Sequence, residues 1–96
     1  MSEIDRRFRK WQAAVEKFET AAPLSHEEYL DLVDQREALH EAVAHHPQPP
    51  GLTEVDARFR AATEEVAECV WGVQVGIENC WTPQKHWWYF RGQSNR

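Results

Sequence analysis

The sequence predicts an all-α domain: three antiparallel amphipathic helices near residues 3–21, 25–46 and 53–79, then an extended aromatic C-terminal segment. Three observations carry this prediction. A hydroxyl residue precedes an acid by three positions at Ser2 and Asp5, at Ser25 and Glu28, and at Thr53 and Asp56. Such a pair opens a helix: the hydroxyl accepts from a first-turn N–H, and the acid reaches back or faces the positive end of the dipole. Prolines supply the stops, Pro23 after the first segment and His46-Pro47-Gln48-Pro49-Pro50-Gly51 after the second, because stacked prolines cannot continue a helix. Between starts and stops the apolar residues recur at helical spacing, and connections this short favour antiparallel neighbours.

In the first segment Ile4, Phe8, Trp11, Val15 and Phe18 fall on one face. Arg6, Lys10, Ala13 and Lys17 form the opposite ridge, so this helix has a basic back. In the second, Tyr29, Leu32, Val33, Leu39 and Val43 share a broader face, backed by an acidic ridge of Glu27, Asp31, Asp34 and Glu41. In the third, Val55, Phe59, Ala62, Val66, Cys69, Val73 and Ile77 keep one helical phase. The run Ile4 to Arg9 echoes Val55 to Arg60, as two helix starts built by the same rules will do.

The stretch from Val70 to Asn79 admits two readings. Its phase continues the third helix, yet Trp71, Val73, Val75 and Ile77 alternate like a strand, and Gly72 and Gly76 weaken a helix. The helix is favoured. The alternative is a short β-hairpin over 70–91, in which this stretch pairs with Trp87 to Arg91 across Thr82-Pro83-Gln84-Lys85.

A chain of 96 residues allows one core. It divides into a helical body, residues 1–80, and a basic aromatic segment, residues 81–96, which holds Lys85, Arg91 and Arg96 and no acid. The net charge of -5 comes from the middle of the chain. That balance argues against a general nucleic-acid binder, which needs a dominant positive face. Met1 to Lys10 is charged and has no apolar core, so no secretory leader is expected. The longest apolar-leaning run, Val66 to Ile77, is far shorter than the ~20 residues of a membrane helix. Cys69 and Cys80 lack a CxxC spacing and are expected to be free thiols in the cytoplasm.

Arg36 sits in the centre of the second apolar face, with His40 one turn later. A buried guanidinium needs a carboxylate, and Asp5, Asp56 and Glu64 are the candidates. Glu37 and His40 have the Glu-x-x-His spacing of carboxylate-bridged metal sites, but the other helices show no inward carboxylate to complete one. No nucleophile, base and orienter set and no glycine-rich phosphate loop is present. The sequence therefore predicts no enzyme, no metal and no cofactor.

The aromatic segment is the most informative stretch. Trp87, Trp88, Tyr89 and Phe90 cannot all face one way, so they either close the helical core or form a platform for a partner. The functional expectation is a small protein-binding regulator or adaptor, of the antitoxin or immunity-inhibitor kind, or a self-associating chain. Its expected contact residues are Trp87, Trp88, Tyr89, Phe90 and Arg91, with the ridge Glu27, Asp31, Asp34 and Glu41. Two alternatives stand beside it: a metal or small-anion site using Arg36, Glu37 and His40, and base stacking of single-stranded nucleic acid on the tryptophans.

Overall fold

Helix α1 spans Glu3–Ala21 and opens as predicted, with the Asp5 N–H donating to Ser2 Oγ at 3.2 Å. Helix α2, His26–Val43, opens on a complete reciprocal cap: the Glu28 N–H donates to Ser25 Oγ, and the Ser25 N–H donates to the Glu28 carboxylate, each at 3.1 Å. The coordinates are a computed structural model that describes residues 2–21 and 23–93. Arg96, the last base of the aromatic segment, lies outside the described residues. The two helices run antiparallel, since Arg7 reaches the Ala38 carbonyl at one end and Lys17 faces Glu28 at the other. Helix α3, Leu52–Ala61, returns alongside α1, which it meets through Trp11 and Asp56 and through the Glu19 and Arg58 ion pair.

The third start signal is not the one used. Helix α3 begins at Leu52 on Gly51, whose φ of +90° is left-handed, and Thr53 is exposed and caps nothing through its side chain. The two prolines set this geometry. The Leu52 N–H closes a turn onto the Pro49 carbonyl, and glycine alone enters the left-handed region without strain. A Cβ there would also sit 3.4 Å from the Phe8 ring.

The larger correction concerns the long third helix. It ends at Ala61, not near residue 79. Strand β1, Thr63–Glu65, follows, then an irregular stretch, then the short helix α4, Val73–Glu78. Strand β1 pairs antiparallel with β2, Arg91–Gln93, in the register Thr63 to Gln93, Glu64 to Gly92 and Glu65 to Arg91. The cause of the break comes from far along the chain. The Arg91 guanidinium donates to Thr63 Oγ1, to the Thr63 carbonyl and to the Arg60 carbonyl at 2.7, 2.9 and 3.0 Å, and a cation is favoured at carbonyls near a helix C-terminus. Thr63 Oγ1 itself donates to the Phe59 carbonyl. A two-stranded pairing does involve the C-terminal segment, but its partner is residues 63–65, and Val73 to Glu78 is helical as favoured.

The aromatic segment completes the core. Trp87–Phe90 form a single 3₁₀ turn, and Trp88, Tyr89 and Phe90 are 1%, 1% and 9% exposed. They join Trp11, Val15, Phe18, Leu39, Val55 and Phe59 in one cluster. The predicted stripe of α1 is therefore core, while the stripe assigned to residues 55–77 splits. Val55, Phe59 and Cys69 are buried, but Val66, Val73 and Ile77 are exposed. Among the described residues no helix is long and apolar enough to cross a membrane.

Candidate functional site

Helix α2 carries the polar side chains that meet the aromatic segment. Arg36 is buried on its inner face and binds Asp56 of α3 through two hydrogen bonds, of 3.0 and 3.1 Å. Of the three acids the sequence offered, Asp56 is the partner. Asp56 also accepts from Trp11 Nε1 at 3.0 Å, so one carboxylate ties α1, α2 and α3 together. The Arg36 guanidinium lies 4.5 Å from the Trp88 ring centre. Its charge is answered by Asp56 and its face by an aromatic ring, while its Nη1 is buried without a hydrogen-bond partner.

Two successive turns of α2 present Asp34, Glu37 and His40 to the same segment. Asp34 accepts from Tyr89 Oη at 2.8 Å and from Trp71 Nε1 at 3.0 Å. Burial, reinforced by this bond to Asp34, pushes the Tyr89 phenol far above its ordinary range. Trp81 stacks on Tyr89, 3.9 Å between ring centres and 17° from parallel. His40 and His86 meet edge to face at 5.3 Å, and both rings lean on Trp88.

Glu37, His40 and His86 bring one donor atom each to within 4.8 Å of one another, the one such trio among the described residues. Burial holds both imidazoles below the usual histidine value, and each ring also feels a neighbouring cation, Arg36 at His40 and Lys85 at His86. Burial, aided by Glu41, raises the Glu37 carboxyl. These three residues could hold a metal ion. Sequence spacing exposed Glu37 and His40, but His86 lies 46 positions beyond His40, and only the return of the chain shows it.

The expected partner contacts are distributed differently from the sequence picture. Trp88, Tyr89 and Phe90 are interior, because the 3₁₀ turn directs their rings into the gap left by the short α3. Trp88 and Tyr89 are closed to solvent, and Phe90 shows only an edge, at the floor of a groove. Trp87 is half-buried under Arg60, whose guanidinium sits 4.0 Å from its ring centre. Arg91 is half-buried and committed to α3. On the ridge, Glu27, Asp31 and Glu41 are exposed, whereas Asp34 is engaged by Tyr89 and Trp71.

The sequence missed a second surface. Val66, Trp71, Val73 and Ile77 are 38%, 39%, 50% and 66% exposed. Val73 and Ile77 edge a depression floored by Cys69, Gly76 and Phe90, and this adjoins a second depression that reaches Arg60 and Trp87. Ala67, Pro83 and Gln84 belong to both, so the two read as one groove. For Val66, Val73 and Ile77 the signal was present as apolar residues at helical phase, which the periodicity assigned to a core, whereas Trp71 stands off that phase.

Comparison with protein-family models, with curated proteins and with solved structures finds no match.

Proposed function

We propose that this chain is a small protein-binding regulator or adaptor of the cytoplasm, which meets its partner along the face of α4 and the groove beside it. The observation that carries the reading is the outward placement of Val73 and Ile77 on α4, with Trp71 and Val66 near them. Contiguous apolar surface of this kind, on a chain that is otherwise charged outside, marks an interaction site. The groove is apolar along α4 and carries Arg60 and Trp87 at its other end, residue types that dominate binding energy in interfaces. Glu27, Asp31 and Glu41 stay open to solvent and would speed capture of a basic partner. The cytoplasmic assignment rests on Cys69 and Cys80, which are both free. Binding is favoured over catalysis because the thiol in the groove floor, Cys69, is pushed up by burial and so is not activated.

The test places a photo-crosslinking residue at Ile77 and, as a control, at exposed Lys10. One dominant adduct from position 77, absent from position 10 and lost when Val73→Glu is added in the same chain, supports the reading. Helical circular dichroism should be unchanged, because Val73 and Ile77 are both exposed. Equal labelling from both positions, or no adduct, defeats it. An adduct with a second copy of the chain replaces the regulator with a self-assembling protein.

A further inference from the structure

The contact between α2 and the turn before Trp87 is left electrically unfinished. Four buried side-chain atoms around it, Arg36 Nη1, Glu37 Oε1, His86 Nδ1 and Trp88 Nε1, have no hydrogen-bond partner. The nearest approach between the Glu37 and His86 side chains, Glu37 Oε1 to His86 Nε2, is 3.9 Å, beyond hydrogen-bond reach. Buried polar atoms are ordinarily satisfied, and an unpaired carboxylate oxygen beside an unpaired imidazole points to a missing ligand.

The donor chemistry says which ligand. Glu37 and His40 stand one turn apart on α2, and His86 faces them from the segment that returns to the core. Two imidazoles and one carboxylate suit zinc, copper, iron or nickel, and do not suit the oxygen-seeking magnesium or calcium. The surrounding charge is of both signs. Asp34 and Glu41 lie close enough to act on Glu37, and Arg36, the opposing charge on α2, is balanced by Asp56. Lys85 is the remaining cation beside His86. Trp81 and Trp88 wall the site.

We propose that Glu37, His40 and His86 bind one transition-metal dication, with zinc as the natural occupant. Donors around tetrahedral zinc are separated by about 3.3 Å, as its bond lengths of roughly 2.0–2.2 Å require. The present spread of up to 4.8 Å closes by small side-chain rotations of the three residues. Three protein ligands leave the fourth position to water. The ion staples the aromatic segment to α2 next to Trp88, so its first effect is on how firmly that segment is held.

The test titrates chelator-treated protein with Co²⁺ and then displaces it with Zn²⁺. The expected result is one equivalent of Co²⁺ with the visible absorption of a four-coordinate nitrogen and oxygen site. Glu37→Gln, His40→Gln and His86→Gln should each weaken zinc by at least the 10–100-fold seen for lesser, outer-shell losses. His45→Ala with His46→Ala, a pair of exposed histidines, should leave binding unchanged. Zinc should raise the melting temperature of the wild type and leave that of His86→Gln unmoved. Helical circular dichroism identifies any variant that has lost its fold, and Glu37→Gln, the most conservative change, then decides. Absence of the cobalt band, its persistence in Glu37→Gln and His86→Gln, or its loss with the His45 and His46 pair overturns the proposal.

Discussion

Arg36 and Asp56 meet in a two-pronged hydrogen bond, 3.0 and 3.1 Å, with their side chains 7% and 16% exposed. Removing one partner strands the other. Asp56→Ala should cost about 3–5 kcal/mol, the usual penalty for an uncompensated buried charge. It also frees Trp11 Nε1 from its acceptor. The double substitution Arg36→Met with Asp56→Leu should recover most of the loss, because a well-packed apolar pair avoids desolvation altogether. Urea denaturation of the three chains measures this, and equal losses in the single and double variants would refute it.

Arg91 should behave as a structural residue. Arg91→Met leaves the Arg60 and Thr63 carbonyls without their donor at the end of α3. The expected cost is about 1–3 kcal/mol. Arg91→Lys should restore only part of it, since an ammonium cannot span the same acceptors as a planar fork. Hydrogen exchange should show protection falling first in residues 63–65 and 91–93, the paired strands.

Both tyrosines are buried and hydrogen-bonded, Tyr29 to the Arg91 carbonyl at 2.6 Å and Tyr89 to Asp34 at 2.8 Å. Burial raises both phenols far above their ordinary value of 10.0. Unfolded phenols ionise near pH 10, so the unfolded chain loses protons there that the folded chain keeps. Stability present below about pH 10 must then fall as pH rises past it. Phenolate absorbance and loss of helical circular dichroism should appear in a single transition. A phenolate signal in folded protein would show that one ring is accessible.

Gly51 takes φ +90° at the start of α3, beside Phe8. Gly51→Ala should lose about 1–2 kcal/mol, the cost of a left-handed conformation with a Cβ. Gly72 has φ +108° with open space around it, so Gly72→Ala tests the backbone cost alone. Thermal melts of the two variants measure each loss by itself, since Gly51 is in the left-handed helical region and Gly72, at ψ 153°, is not.

The local parts of this fold could be read along the chain, and the parts set by chain return could not. Ser25 and Glu28 declared α2, and Trp11, Val15 and Phe18 declared the inner face of α1, because capping and periodicity act within a few residues. Arg36 on an apolar face announced its need for an acid, and Asp56 was among those named. The end of α3 was hidden, since its cause is a guanidinium 28 positions away from Thr63. Val66, Val73 and Ile77 kept the helical phase of a buried stripe although the chain had already turned. The metal-like trio was half legible for the same reason: Glu37 and His40 share one turn, and His86 arrives from elsewhere.

The side-chain amide of Gln93 donates to the Leu24 carbonyl at 2.9 Å and accepts from the Leu24 N–H at 2.7 Å, across 69 positions of sequence. A chain synthesised from its N-terminus makes the pair of helices α1 and α2 early, and then waits. Trp88, Tyr89 and Phe90, which cover the apolar side of that pair, leave the ribosome more than forty residues after Val43. During that interval the helical pair is exposed to aggregation and to chaperone capture. The moment of greatest vulnerability for this protein is thus fixed by the order in which its residues are made.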